Sequence, residues 1–278
     1  INALKLTGKK MSEIKVVLFG AGASNTSIAR LMITDGVDPK KIIMFDSKST
    51  LHKNCERYKN DPRFYVQWDL CQKTNPDCIT SPEEAFKDAD VLVALSKPGP
   101  DTIKTEWIKL MADKAIVFVC ANPVPEIYPY QAKEAGAYIV ATGRGDFPNQ
   151  VNNSVCFPSI LKGTLLVSAR KITDTMAIRA AHSIAEFAEQ RGITVDNIMP
   201  NMMEWELFPK VAADVAMQAI KEGVALKNLT WDEVYQAAKK DIMETREITQ
   251  MLQDKGYIAP ITDEDVCSIM NKVIDLVK

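Results

Sequence analysis

The sequence predicts an α/β fold: a doubly wound parallel sheet followed by a C-terminal helical extension. Three observations predict it. Short apolar runs alternate with helical patterns from Ile14 to Thr142. The runs are continuous rather than polar at every second residue, as in strands covered on both faces. After about Leu165 the strands stop and only helical periodicity remains. The expected division is a helix remnant over 1–13, a sheet domain over 14–165, and helices packed on it over 166–278.

The elements follow in order. Ile1–Leu6 reads as the tail of a helix stopped by Thr7-Gly8, glycine being a usual terminator. That helix is expected to start before residue 1, as part of a longer polypeptide. Strands are expected at Ile14–Gly20, Lys41–Asp46, Asp90–Ser96, Ala115–Ala121 and Ala137–Thr142. Between them, Ala23–Asp35 reads as a helix with Ile28, Leu31 and Met32 on one face. Lys48–Asp61 is polar with weak helical character, and Pro82–Lys87, Thr102–Met111 and Pro129–Ala135 read as helices. Lys97-Pro98-Gly99-Pro100 is a turn. In the extension, Arg170–Arg191, Pro209–Val224, Trp231–Asp254 and Thr262–Val277 read as helices. Pro209 fits a first-turn position, and Thr230 with Glu233 forms a capping-box pattern.

Composition narrows the functional classes. The chain has 278 residues, 46% hydrophobic and 25% charged, with net charge −2. No basic run points to nucleic acid. No apolar stretch approaches the roughly 20 residues that span a bilayer. Six cysteines (55, 71, 78, 120, 156 and 267) show neither Cys-x-x-Cys nor metal-ligand spacing with histidine. Cys120, Cys156 and Cys267 lie in apolar contexts, and the chain reads as cytoplasmic and reduced. The two histidines, His52 and His182, offer no partners for a serine-type triad.

Chemistry concentrates where strands end. Gly20-Ala21-Gly22-Ala23-Ser24-Asn25 follows a strand and opens a helix, the setting of a dinucleotide-binding (Rossmann) turn. Gly20 permits the tight turn, and Gly22 lets backbone approach a pyrophosphate at the helix start. Asn25 replaces the third glycine, so its side chain is expected to push the helix slightly outward. Asp46 ends the second strand and is placed to accept both adenosine-ribose hydroxyls. A 2′-phosphate beside it would be repelled by about 4 kcal/mol at 4 Å and an effective dielectric near 20. Lys48 offsets part of that, and the expected preference is NAD over NADP. Ser96 and Lys97 end the third strand and could line the cofactor.

Two carboxamide loops follow. Ala121-Asn122-Pro123-Val124-Pro125-Glu126 puts an amide at the carboxyl edge of the sheet. Asp146–Asn153 carries Asn149, Gln150, Asn152 and Asn153 within five positions. Such groups donate and accept while staying neutral, which suits a small anionic substrate.

Together, Val17–Ile28, the Asp46 strand end, Ser96-Lys97-Pro98-Gly99, Ala121–Ile127 and Ala141–Pro158 resemble the cofactor domain of malic enzymes of the short bacterial or protist type. The likeness covers roughly 1–225, and Thr142–Pro158 is its most specific segment. It implies that Asn122 contacts malate and the cofactor, that Asn153 contacts malate, and that Asn152 sits beside the nicotinamide. It also implies malate oxidation to pyruvate and CO2 with reduction of NAD(P), and a homodimer. The family's metal ligands for Mg2+ or Mn2+, its catalytic Lys and its Tyr precede this domain. None maps onto this chain, so they are expected from an N-terminal half of the same polypeptide. The chain alone is expected to bind NAD without turning over malate. The alternatives are another two-domain dehydrogenase, of the amino-acid or methylene-tetrahydrofolate type, and a non-catalytic nucleotide-binding module.

Overall fold

The structure, a computed structural model, describes residues 1–259 and 261–277. Helix α1 (Asn2–Thr7) ends at Gly8, whose φ of 74° is the left-handed conformation glycine adopts without strain. Strand β1 (Val16–Phe19), helix α2 (Ala23–Thr34) and strand β2 (Ile42–Phe45) follow, then helices α3 (Tyr65–Lys73) and α4 (Pro82–Phe86). Next come β3 (Val91–Ala94), α5 (Thr105–Ile108), β4 (Ile116–Val119), α6 (Pro129–Glu134) and β5 (Ile139–Thr142). The strands form one parallel sheet in the order β2-β1-β3-β4-β5. Each strand is shorter than the sequence suggests, because the flanking residues leave the ladder to build turns.

Alternation within the strands feeds two apolar layers. Val16, Leu18, Ile42, Met44, Val91 and Val93 face α1 and α2, while Val17, Ile43, Leu92, Val117 and Val140 face Ala85, Phe86, Trp107 and Ile108. Val16, Val17 and Leu18 have no exposed surface. Full burial of such a side chain is worth about 1.5–3 kcal/mol. Covering on both faces is what the uninterrupted apolar runs require.

Helices α7 (Phe157–Leu166), α8 (Asp174–Arg191), α9 (Leu207–Lys221), α10 (Trp231–Asp254) and α11 (Asp263–Val277) complete the described chain. α9 is the hub of a third core, burying Leu207, Val211, Ala213, Val215 and Ala216 against neighbours that include Val155, Ile184 and Val234. A side chain at Gly163 of α7 would strike the Ala212 carbonyl, so glycine sets the close approach of α7 to α9. The expected boundary at 165/166 thus falls at the end of α7, a helix that belongs to this core. The α10 capping box forms, with Thr230 Oγ1 accepting from Glu233 N and Glu233 accepting from Thr230 N. The extension is tied to the sheet: Arg30 pairs with Asp174 at 2.8 Å, and Asn2 donates to the carbonyls of Ala185 and Ile198.

Two helices, α3 and α7, escape the sequence reading, and α8 begins at Asp174 rather than Arg170 because Thr173 caps it. The buried thiols are Cys55 and Cys71, whereas Cys267 is exposed on α11.

One half-buried charge cluster fastens the extension. The Asp214 carboxylate accepts from Ser183 Oγ (2.6 Å), Lys210 Nζ (2.9 Å), Trp231 Nε1 (2.9 Å) and Arg179 Nη2 (3.0 Å), joining α8, α9 and α10. Burial alone would raise its pKa, but the bonds from Ser183, Trp231 and Lys210 outweigh it and hold the carboxyl below its usual range. Stability from this group is therefore present above the unfolded carboxyl pKa of about 3.9 and is lost as pH falls through the lower folded value. Asp214→Asn should cost roughly 2 kcal/mol at pH 7, with the gap to wild type closing below about pH 4. Urea denaturation across that pH range measures it, and a gap that does not change with pH would refute the assignment.

Candidate functional site

The register sets the site. Phe19 lies opposite Phe45 and Ala94, Ala94 opposite Val119, and Val119 opposite Thr142. The last residues of all five strands thus form one row, and adjacent strands lie about 4.8 Å apart. The turns at Gly20, Asp46, Ser96, Asn122 and Gly143 leave the sheet side by side. Strand order reverses between β1 and β3, the crevice where open α/β sheets bind ligands.

At that crevice, Gly20 has a φ of 108°, and any side chain there would strike the Leu95 carbonyl. Gly22 caps α2 with extended backbone, and a side chain on it would meet nothing within 4 Å. No side chain caps α2, so its first N–H groups are free for an anion. Gly22, Ala23 and Ser24 are exposed, and Ala21, half-buried, accepts from Gln67 Nε2 of α3 at 3.2 Å. Asn25 does not wedge the helix away, as expected from its replacing a glycine. It is fully buried, and its Nδ2 donates to the carbonyls of Phe19 (3.1 Å) and Gly20 (3.0 Å). It binds the helix to the end of β1.

Asp46 stands at the end of β2, but its carboxylate is not free for a ribose. Oδ1 accepts from Lys48 N (2.7 Å) and Ser49 N (2.8 Å), and Oδ2 from Arg57 Nε (2.8 Å), Arg57 Nη2 and Tyr58 OH. Burial would raise its pKa, yet the bonds from Tyr58, Ser49, Lys48 and Arg57 outweigh it and keep it ionised. Burial and the Asp46 bond push the Tyr58 hydroxyl up to about 12, so it stays a donor. The electrostatic reason for preferring NAD is removed, because Arg57 neutralises the acid.

Glu126 closes the Ala121–Glu126 motif, whose local sequence signals no role for it. It is fully buried, accepting from Ser96 N (2.9 Å), Ser96 Oγ (3.3 Å) and Ala121 N (3.1 Å). One carboxylate thus clamps the ends of β3 and β4, leaving Lys97 exposed and Asn122 exposed at the rim. Burial and the nearby Glu126 push the Cys120 thiol up to about 12, so it is a thiol, not a thiolate, at neutral pH.

The two amide loops meet. The Asn122 carboxamide rests over the end of β5, with Nδ2 3.5 Å from where a Gly143 Cβ would lie. Arg144 Nη1 donates to the Pro123 carbonyl at 2.8 Å, lacing the loops together. The second loop folds back, Val151 N donating to Thr142 O at 2.7 Å, which returns Asn152 and Asn153 to the same rim. Asn149 is spent on structure, its amide bonded to Val140 O, Val195 O and Ile198 N. Asn152 accepts from Ser154 N at 2.9 Å, and Asn153 is exposed. A cavity of about 240 Å3 opens beside them, lined by Gly145, Gln150, Asn152, Asn201 and Met202 among others. Among the described residues, no group of three His, Cys, Asp or Glu side chains could hold a metal.

Comparison with known proteins decides the family. Residues 1–223 match the family model described as malic enzyme, NAD binding domain. The chain belongs to the malic enzyme family. It is 39% identical over 241 residues to the bifunctional malic/malolactic enzyme of Bacillus subtilis, covering 86% of this chain and 57% of that one. The NAD-dependent malic enzyme of Geobacillus stearothermophilus is 38% identical, with 82% and 46% covered. Among solved structures, the malic enzyme of Entamoeba histolytica superposes with a TM-score of 0.95 at 59% identity, over all of this chain and 57% of the other. That of Pyrococcus horikoshii gives 0.84 at 41%, with 91% and 59% covered. The chain spans about half the length of the curated relatives it matches. Family membership sets aside the amino-acid and methylene-tetrahydrofolate dehydrogenase readings.

In this malic enzyme domain, the clamp makes a prediction. Glu126→Ala strands the buried Ala121 N–H and the part-buried Ser96 N–H, an unpaired buried donor costing about 1–3 kcal/mol, and frees the β3 and β4 loops. Unfolding free energy should drop by roughly 2–4 kcal/mol while affinity for the dinucleotide falls. Urea denaturation with cofactor titration reads both, and a variant unchanged in both would show that the clamp holds nothing.

Proposed function

We propose that this chain is the cofactor half of a malic enzyme. The complete protein oxidises malate to pyruvate and CO2 while reducing NAD(P). The observation that carries the reading is the single row of strand ends, which aligns the glycine turn with both amide loops. When bound, the nicotinamide supplies the hydride acceptor. Gly20, Ala21, Gly22, Ala23 and Ser24 offer backbone to the pyrophosphate, and Asn25 braces the helix beneath it. Ser96 and Lys97 would line the path toward the nicotinamide, which Asn122 and Asn152 would contact. Asn122 and Asn153 donate their amide N–H groups to malate, orienting its carbon-bound hydrogen toward the acceptor.

The described residues offer no group of three His, Cys, Asp or Glu side chains that could hold Mg2+ or Mn2+. We assign metal, proton-transfer groups and the remaining substrate contacts to an N-terminal half of the polypeptide, in a homodimer. No helix among the described residues is long and apolar enough to cross a membrane. The free cysteines fit a reducing compartment such as the cytoplasm.

Two substitutions test this. Gly22→Val should leave the fold intact, since the backbone there is extended and the space open. It should weaken dinucleotide binding at least tenfold, by meeting the pyrophosphate. Undiminished affinity in calorimetric titration would place the cofactor elsewhere. In the complete enzyme, Asn153→Ala removes a hydrogen bond to a charged group worth about 1.5–3 kcal/mol, so kcat/KM should fall roughly 10–150-fold. An unchanged value removes Asn153 from the substrate site.

A further inference from the structure

The helical extension ends in an arm that its own chain leaves uncovered. The first half of α10 is anchored by buried Val234 and Ala238, and Val234 lies in the core around α9. From Glu244 to Met251 every residue of α10 is exposed, and so is every residue of α11 from Asp263 to Ile274. Yet α11 is built to be covered. Val266, Ile269, Met270, Val273 and Ile274 recur at the spacing of three and four that lines one face of a helix. Ile248, Met251, Tyr257 and Ile261 add to the apolar surface of the arm. These nine residues are 43–79% exposed, together roughly the 800 Å2 that one partner brings to an interface of standard size. A soluble monomer rarely exposes more than a few hundred Å2 of apolar surface in one patch. A helix of 15 residues is also marginal in water without packing, so α11 needs a partner. The arm lies beyond residue 223, where the match to the family model ends, and the Entamoeba histolytica structure superposes over it with the rest of the chain.

We propose that α11 is covered by α11 of a second copy of this chain, the two helices lying antiparallel about a two-fold axis. Two copies of one stripe match in length and in apolar character, and their Ile, Val and Met side chains can interdigitate as ridges into grooves. Direction follows from charge. Paired parallel, the acidic first turns would meet, with Asp263, Glu264 and Asp265 in each. Paired antiparallel, each first turn meets the second half of the other helix, which carries Lys272 and Asp275 and no net charge. The inference rests on the homodimer assigned above and names a surface that holds it.

Ile269→Glu in the full chain tests it. Ile269 is 59% exposed within one copy, so a charge there leaves the sheet and the helical core untouched. Sedimentation velocity should show wild type as a dimer with a micromolar or tighter Kd, and the variant with a Kd raised at least tenfold. A dimer that Ile269→Glu leaves intact is held elsewhere, which overturns the arm pairing and leaves the homodimer reading standing. A monomeric wild type also overturns the pairing, and assigns any homodimer contact to the N-terminal half. Cys267 gives a second readout, independent of how the variant folds. It is exposed on α11 next to Val266, and each chain has one, so a Cys267–Cys267 cross-link forms only between copies. A short bis-maleimide should produce that link in wild type, and mass spectrometry of the linked peptides detects it. Dimers linked only through other cysteines would contradict the pairing.

Discussion

A carboxylate buried at the rim of the sheet holds the site together. Parallel register brings the strand ends into one row, but a row of ends does not fix the loops that leave it. Glu126 does so by accepting the backbone N–H of Ser96 beyond β3 and of Ala121 beyond β4. A carboxyl group buried without partners costs free energy, so the three donors are what make its position tenable. The bonds also satisfy N–H groups that would otherwise be orphaned where the ladder stops. Asn122, four residues before Glu126, inherits its place from this clamp. Arg144 then transmits that place to the next loop through the Pro123 carbonyl.

Charge is distributed around the rim with a clear division. Carboxylates near it are consumed by protein donors: Asp46 by Arg57 and Tyr58, Asp146 by Arg144, and Glu126 by backbone. What stays exposed includes neutral amide, free N–H and the Lys48 and Lys97 ammonium groups, with Asp146 exposed but paired to Arg144. Such a surface favours anions, because each of these acids is matched by a protein donor. The extension has a separate tie in Asp214, and it reaches the sheet through α2, whose first turn belongs to the glycine loop. Packing in the helical core and placement of the cofactor turn are therefore mechanically linked.

Much of this was legible in the sequence. Apolar runs located all five strands, and Gly20, Gly22 and the two amide loops marked the carboxyl edge. α3 was missed because Tyr65–Lys73 mixes aromatic and charged residues without a clean apolar stripe, and only Leu70 and Cys71 are buried. α7 was missed because Phe157 and Pro158 follow directly on the amide loop and its apolar residues read as a continuation. The partners of Asp46 lie 11 and 12 residues away, across an irregular segment with no periodic signal. Glu126 looked like an ordinary polar loop residue, because its three partners come from two other strand ends. Long-range hydrogen bonds of this kind leave no local pattern, whereas turn glycines do.

We propose that four loops at one edge of the sheet form a single dinucleotide site. Amide NMR of the 278-residue chain during cofactor titration tests it most directly. Gly20–Asn25, Ser96, Lys97, Asn122 and Asn152 should shift together along one binding curve, while Lys15 and Asp90 at the opposite edge stay fixed. Shifts confined to one loop, or gathered around Lys15 and Asp90, would contradict it.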